Sequence, residues 1–187
     1  MLNDSEFEAL ATAPASQSLS SKNTSINSSR LPKAISYLLK GKDLKGYKVF
    51  DFGCGKFSNS ESAIVEAGGD YIPYDPYNLP HATNIASMRR AYNEQIMYVV
   101  CSNVLNVIRE DRALEETLER LVDLLIHQNN CELIVTIYEG NKTSIGAITR
   151  TDQYQRNEPI SFYKEKFQKH GLTVDTKKGC LIIRNLV

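Results

Sequence analysis

The residues best suited to chemistry form a glycine-containing turn directly after an apolar run. Val49-Phe50-Asp51-Phe52 leads into Gly53-Cys54-Gly55, and a second acidic residue, Asp75, follows Gly55 by 20 positions. Glycines at a strand-to-helix turn let the backbone approach a ligand closely. An acidic group at the end of the next strand can accept hydrogen bonds from both ribose hydroxyls of an adenosine. Together, in this order, the two features predict a nucleoside-cofactor site.

The same turn discriminates between cofactors. A pyrophosphate site needs the pattern Gly-x-Gly-x-x-Gly, whereas this chain continues Gly53-Cys54-Gly55-Lys56-Phe57-Ser58 without the third glycine. Asp51 would repel a pyrophosphate, but it can bind the amino group of a methionine moiety, directly or through water. The pattern therefore favours S-adenosylmethionine over NAD, and an NAD-linked oxidoreductase is the weaker alternative. Six cofactor-binding residues are predicted on this basis: Asp51, Phe52, Gly53, Cys54, Gly55 and Asp75.

A second polar group follows the apolar run Val99-Val100-Cys101. It reads Ser102-Asn103-Val104-Leu105-Asn106, and in open α/β sheets ligands lie at this end of the strands. We expect Ser102, Asn103 and Asn106 to point toward the methyl group or its acceptor. The alternative is a helix cap, since Ser and Asn are good capping residues.

Residues 141–158 are polar, lack strong periodicity and follow another buried strand. A connection of this length in a compact domain is usually functional or disordered. Tyr154 could stack or hydrogen-bond, and Arg150 and Arg156 could bind an anionic acceptor. We predict a substrate-side loop here, with an ordinary surface loop as the alternative.

Alternating strand and helix patterns must position these residues. Strands are predicted at 47–52, 70–74, 84–86, 96–101, 133–138, 172–176 and 181–185, and helices at 60–67, 111–127 and 160–170, with a further helix beginning at Pro32. Such alternation indicates a mainly parallel sheet flanked by helices. The last two strands are too close in sequence for a parallel connection and must form an antiparallel hairpin. The predicted fold is Rossmann-like α/β, closing with an antiparallel C-terminal hairpin.

Composition limits the remaining possibilities. The 187 residues suffice for one domain at 30–187, preceded by a flexible arm at 1–29 that is rich in Ser, Asn and Ala. Basic and acidic residues balance at 22 each, which disfavours a non-specific polyanion binder. The four cysteines lack metal or disulfide spacing, and the three histidines are far apart, so no metal is expected. No run is long and apolar enough for a membrane span, and we expect a cytoplasmic protein.

With these motifs in place, residues 47–187 resemble class I S-adenosylmethionine-dependent methyltransferases. More narrowly, four motifs resemble those of methyltransferases associated with DNA phosphorothioation: Arg30-Leu31-Pro32, Phe50-Asp51-Phe52-Gly53-Cys54-Gly55, Tyr74-Asp75-Pro76-Tyr77 and Ser102-Asn103-Val104-Leu105-Asn106-Val107-Ile108. The resemblance places Asp51, Gly53 and Gly55 around the methionine, and Asn103 beside it. It places Asp75 on the ribose, with Pro76 and Tyr77 near the adenine.

The chain also departs from that family. Phe57 stands where a third glycine is common, and neither the Asp-Pro-Pro-Tyr type of motif nor a Pro-Cys nucleophile is present. These absences disfavour methylation of a base amine or of cytosine C5 in DNA by the usual designs. The expected function is methyl transfer to an unidentified acceptor, a nucleic acid or a small molecule. The alternative is a cofactor-binding but non-catalytic sensor or partner subunit, because no cap domain is present to read a large substrate.

Overall fold

The computed structural model describes residues 2–23 and 30–185. Its helices are α1 (Asp4–Leu10), α2 (Lys33–Leu38), α3 (Asn59–Glu66), α4 (His81–Asn93), α5 (Asp111–His127) and α6 (Ile160–Lys169), with a 3-10 turn at Leu105–Val107. Its strands are β1 (Lys48–Phe52), β2 (Asp70–Tyr74), β3 (Tyr98–Ser102), β4 (Glu132–Thr136), β5 (Ala147–Arg150), β6 (Gln153–Gln155), β7 (Thr173–Lys177) and β8 (Cys180–Arg184).

Six strands form the central sheet in the order β2-β1-β3-β4-β8-β7. Strands β1 to β4 are parallel, while β8 runs antiparallel to both β4 and β7. Lys178 and Gly179 both have positive φ in the tight turn between β7 and β8, as the favoured two-residue hairpin turn requires. The predicted Rossmann-like fold with its closing antiparallel hairpin is confirmed.

Side chains alternate between the two faces along each strand. Helices cover both faces, so the side chains on each face are buried. Phe50 and Phe52 of β1 pack into the larger apolar cluster, together with α4 and α5. Val49, one position away, packs into the smaller cluster with α2 and α3. The strand order reverses direction at β1, because β2 lies on one side and β3 on the other. Such a switch point leaves a crevice at the carboxyl ends of the strands, where open α/β sheets bind ligands.

The strand predicted at 84–86 is wrong, because these residues belong to helix α4. Pro80 precedes the first turn, where a missing N–H costs no helical hydrogen bond. The buried face is helical in period and partly polar: Asn84, Ser87, Met88 and Ala91. Because two of these four are polar, hydrophobic periodicity alone did not identify the helix.

The described part of the predicted arm, residues 2–23, packs against the domain. Helix α1 begins with a capping box between Asn3 and Glu6. Phe7 is buried in the larger apolar cluster and meets Tyr92 of α4 edge to face. One large apolar side chain therefore anchors a segment whose overall composition predicts a flexible arm.

The four cysteines are free thiols, and Cys101, Cys131 and Cys180 are buried. Buried free cysteines of this kind pack as small apolar side chains. Within residues 2–23 and 30–185, no helix has the length and apolar character needed to cross a bilayer.

Candidate cofactor and acceptor site

A cavity of about 610 Å³ lies at the carboxyl ends of the parallel strands. Its walls come from the segments that follow β1, β2 and β3, from the β5–β6 hairpin, and from residues 14–23 and 30–33. The volume is within the usual range of small-molecule and cofactor sites. The topological switch point and the cavity therefore coincide.

The glycine loop, residues 52–55, is fixed to the end of β2. The amides of Gly53 and Cys54 both donate to the carbonyl oxygen of Tyr74, at 2.7 and 3.1 Å. Gly53 has a φ of +79°, and a Cβ there would lie 2.3 Å from the Val104 Cγ2 atom. Glycine is thus required at position 53 for its backbone conformation and for the close approach of the segment after β3.

Asp75 is the centre of the hydrogen-bond network beside this loop. Its Oδ2 atom accepts from the Gly55 amide at 2.9 Å and from the Asn78 side-chain amide at 3.1 Å. Its Oδ1 atom accepts from the backbone amides of Tyr77 and Asn78, both at 2.9 Å. A carboxylate offers about four acceptor positions, so protein donors occupy all of them. In this conformation Asp75 supports the loop. A ribose hydroxyl can bind to the Asp75 carboxylate only after one of these four protein donors has moved away.

Asp51 is buried at the end of β1 and accepts a hydrogen bond from the Tyr71 hydroxyl at 2.8 Å. Burial raises the pKa of Asp51 to about 7; the Tyr71 hydrogen bond lowers it and the charge of Asp75 raises it. A buried carboxylate of this kind is stabilised by an arriving cation. The pKa of the Cys54 thiol is also raised by burial and by Asp51, so this cysteine is not an activated nucleophile.

The segment after β3 brings three predicted residues to the cavity. The Ser102 hydroxyl accepts from the Ala34 amide at 3.4 Å, in the first turn of α2. Asn103 has a φ of +57°, and its amide donates to the Thr136 carbonyl at 2.9 Å. Asn106 is buried, and its Nδ2 atom donates to Gln155 Oε1 at 3.0 Å.

The segment at 139–158, which includes the predicted substrate-side loop at 141–158, contains the β5–β6 hairpin. Arg150 and Tyr154 line the cavity. Arg156 does not. Its side chain is buried and donates to the carbonyls of Ile108 and Arg109 at 2.7 and 2.8 Å, and to Asp111 at 2.6 Å. Arg156 joins the hairpin to the start of α5 and is not available to an anionic acceptor.

Residues 16–21 cross one side of the cavity and are attached by their serines. The Ser18 amide and hydroxyl donate to the Glu110 carboxylate, and those of Ser20 donate to the Asp152 carboxylate. The Ser21 hydroxyl donates to the Val107 carbonyl at 3.1 Å. Gln17, Ser20 and Ser21 of this segment are among the residues that line the cavity.

The structure thus brings together every predicted site residue except Arg156. The predicted residues that line the cavity are Asp51, Phe52, Gly53, Cys54, Gly55, Asp75, Pro76, Tyr77, Ser102, Asn103, Asn106, Arg150 and Tyr154. Two residues of the site lie outside the motifs that predict it. Tyr71 donates to Asp51, and the Asn84 side-chain amide accepts from the Asp75 amide at 2.9 Å and donates to the Asp75 carbonyl at 3.0 Å. Only knowledge of strand pairing and of helix α4 could have revealed them.

Comparison with known proteins supports the fold. The structure is similar to that of the 1,6-didemethyltoxoflavin-N1-methyltransferase of Burkholderia thailandensis, crystallised with 1,6-didemethyltoxoflavin and S-adenosylhomocysteine. The TM-score is 0.56 at 13% sequence identity, over 81% of this chain and 74% of that chain. No family model matches the sequence, and no curated protein matches it. The chain has the Rossmann-like fold found in that methyltransferase.

Proposed function

We propose that this chain is an S-adenosylmethionine-dependent methyltransferase that acts on a small molecule. The observation that carries the proposal is the glycine loop between Asp51 and Asp75, located at the switch point of a parallel sheet and bordering a 610 Å³ cavity. The similar methyltransferase, which holds S-adenosylhomocysteine, adds support from the fold.

The residues present fit such a cofactor. Asp51 supplies a buried carboxylate for the α-ammonium group, and Gly53 keeps side-chain atoms away from the loop. We assign Asp75 to the ribose, with the side-chain amide of Asn78 as the donor that leaves, because the other three donors are backbone amides. Pro76 and Tyr77 are assigned to the adenine, and Ser102 and Asn103 to the methionine.

When bound, the cofactor supplies a methyl carbon made electrophilic by the adjacent sulfonium. The chain's contribution is then mainly to position the acceptor and exclude water. We assign this role to Asn106, Arg150 and Tyr154, which border the cavity beyond the glycine loop.

Three features favour a small acceptor over a macromolecule. The attached residues 16–21 contribute to the cavity wall, and the chain has no net charge to attract nucleic acid. The similar methyltransferase acts on a small heterocycle. The narrower resemblance to phosphorothioation-associated enzymes keeps nucleic acid as the second candidate, since its four motifs all contribute cavity-lining residues.

Calorimetry with S-adenosylmethionine and S-adenosylhomocysteine tests cofactor binding, and lack of binding of either at millimolar concentration contradicts the proposal. Incubation of cell extract with methyl-labelled cofactor then distinguishes the classes. Label in a low-molecular-weight fraction supports the proposal, whereas label in nucleic acid supports the second candidate. Cofactor binding without any labelled product indicates the sensor or partner-subunit role.

A further inference from the structure

Tyr71 supports Asp51 from outside the cavity. Its hydroxyl donates to Asp51 Oδ2 at 2.8 Å, while Tyr71 itself is not among the described residues that line the cavity. The other carboxylate oxygen, Oδ1, accepts no hydrogen bond from the described residues and is not among the unpartnered atoms shielded from solvent. Because Asp51 lines the cavity, Oδ1 is the oxygen that an incoming ammonium group can reach.

Strand pairing explains why this contact needs a tyrosine. Val49 of β1 lies in register between Tyr71 of β2 and Tyr98 of β3. Asp51 is two residues further along β1, on the same face of the sheet, which is about 7 Å along the strand. A side chain at position 71 must therefore be long and must end in a donor to reach the carboxylate. The hydrogen bond that results fixes the direction of Asp51.

The same hydrogen bond opposes the cost of burying the Asp51 charge. Burial raises the pKa of Asp51 to about 7, the Tyr71 hydrogen bond lowers it and the charge of Asp75 raises it. Within residues 2–23 and 30–185, no lysine or arginine forms an ion pair with Asp51. The groups that face Asp51 from the surrounding elements are Tyr71 of β2, Ser60 of α3, Cys101 of β3, Cys54 of the glycine loop, and Asp75.

Of these groups, Tyr71 does most to keep the carboxylate ionised. Burial and the Asp51 charge raise the pKa values of the Cys54 and Cys101 thiols, which stay neutral. The Ser60 hydroxyl lowers the pKa of Asp51 less than Tyr71 does, and it makes no hydrogen bond of ordinary geometry. Burial and the Asp51 charge also raise the pKa of Tyr71, so its hydroxyl remains protonated and able to donate near neutral pH.

We propose that Tyr71 is a positioning residue for the cofactor, which orients Asp51 and keeps it ionised so that Oδ1 pairs with the α-ammonium group of S-adenosylmethionine. This inference rests on the proposed function and extends the binding machinery to a residue outside the cavity. Without the Tyr71 hydroxyl, Asp51 favours the neutral acid, and the ammonium group loses its charged partner.

The test compares Tyr71→Phe with wild type by calorimetry with S-adenosylhomocysteine between pH 6 and pH 8. Phenylalanine keeps the ring and removes the donor, so half-ionisation of Asp51 should move from about pH 7 to about pH 8. The variant should then bind about tenfold more weakly at pH 6 but only about twofold more weakly at pH 8. A carbon-13 NMR titration of the Asp51 carboxyl group in the cofactor-free protein should show the same change directly.

Two controls isolate the contact. Tyr98→Phe removes a hydroxyl from the matched position on the other side of Val49 and should leave the pH profile unchanged. The probe 5′-methylthioadenosine has no amino-acid group, so its affinity for wild type and for Tyr71→Phe should agree within about twofold at each pH. If Tyr71→Phe is too unstable to measure, 3-fluorotyrosine incorporated at position 71 preserves the ring and strengthens the donor. Half-ionisation of Asp51 should then move to lower pH.

The outcomes distinguish this inference from the proposed function. Failure of the wild-type protein to bind S-adenosylhomocysteine even at pH 8 overturns both. If wild type binds, and Tyr71→Phe changes the affinity by the same factor at every pH or not at all, only the positioning role is overturned. An equal loss of affinity for 5′-methylthioadenosine likewise overturns it, because Tyr71 then supports the cavity as a whole.

Discussion

The glycine loop and the 139–158 segment border the same cavity, and each depends on one buried charged residue. Asp75 accepts four hydrogen bonds, three of them from backbone amides, and the one from the Gly55 amide holds the glycine loop. Arg156 holds the hairpin through two backbone carbonyls and Asp111. Asp75 also faces the cavity, whereas Arg156 does not. A charged residue at the edge of a cleft can thus be a structural connector, and the direction of its side chain decides its role.

The largest effect is expected at Gly53. Gly53→Ala should lower the free energy of unfolding by about 3 kcal/mol, since it combines a left-handed backbone with a collision against Val104. Cofactor affinity should fall with it, because the loop must move. Gly171→Ala is the matched control: its φ is +76°, but nothing lies within 4 Å of the added Cβ. Urea unfolding should give a loss of about 1 kcal/mol for the control; equal losses would contradict the close-approach argument.

The second prediction concerns the connector of the 139–158 segment. Arg156→Ala should destabilise the fold by about 2–3 kcal/mol, chiefly because the buried Ile108 carbonyl and the part-buried Arg109 carbonyl lose their donor. The ion pair with Asp111 contributes little, since that carboxylate is largely exposed. Affinity for S-adenosylhomocysteine should remain within about threefold of wild type.

Arg150→Ala is the control for this variant. Arg150 is exposed and should change stability by less than about 0.5 kcal/mol. Thermal melting and calorimetry on both variants provide the measurement. A stable Arg156→Ala protein that fails to transfer methyl groups would restore the acceptor-binding role predicted from the sequence.

How much the sequence predicts differs between the two regions for a physical reason. The glycine loop is encoded locally: Asp51, Gly53, Gly55 and Asp75 lie at the ends of two successive strands, so spacing alone brings them together. The contacts of Arg156 with Ile108 and of Asn106 with Gln155 join residues 48 and 49 positions apart. No periodicity encodes such contacts, and a buried arginine or asparagine looks the same in sequence as an exposed one. Helix α4 was missed for a related reason, because Asn84 is buried through hydrogen bonds to Asp75.

The third prediction separates the two roles of Asp75. Asp75→Asn removes the charge and half of the acceptor capacity while preserving shape, so cofactor affinity should fall by about thirtyfold, or about 2 kcal/mol. Asn78→Ala removes only the side-chain donor and frees one position on Oδ2. If Asp75 binds the ribose, Asn78→Ala should leave the calorimetric affinity within about threefold or improve it. An equal loss in both variants would mean that Asp75 only supports the loop.

The smallest effect expected is the pH dependence of cofactor binding through Asp51. Its pKa is raised to about 7, mainly by burial, so the folded apo protein favours the neutral acid. A group with a raised pKa in the folded state stabilises the fold below its unfolded pKa near 4, and this contribution is lost as pH rises through 7. Binding of an ammonium group has the opposite pH dependence: it is favoured at high pH, because the ammonium group pairs with the ionised Asp51 carboxylate.

Affinity for S-adenosylhomocysteine should therefore fall by about tenfold between pH 8 and pH 6, as Asp51 becomes protonated. The pKa values of nearby Tyr71 and Cys54 are raised well above this window by burial, so these groups do not contribute. The ligand's α-amino group lies beside a free carboxylate and so titrates above the peptide α-amino value of about 8, and Asp51→Asn serves as the reference that retains this titration without the Asp51 carboxylate. Calorimetry on both proteins at pH 6, 7 and 8 isolates Asp51 as the difference between their profiles. Parallel profiles for the two proteins would show that the ammonium group binds elsewhere than at Asp51.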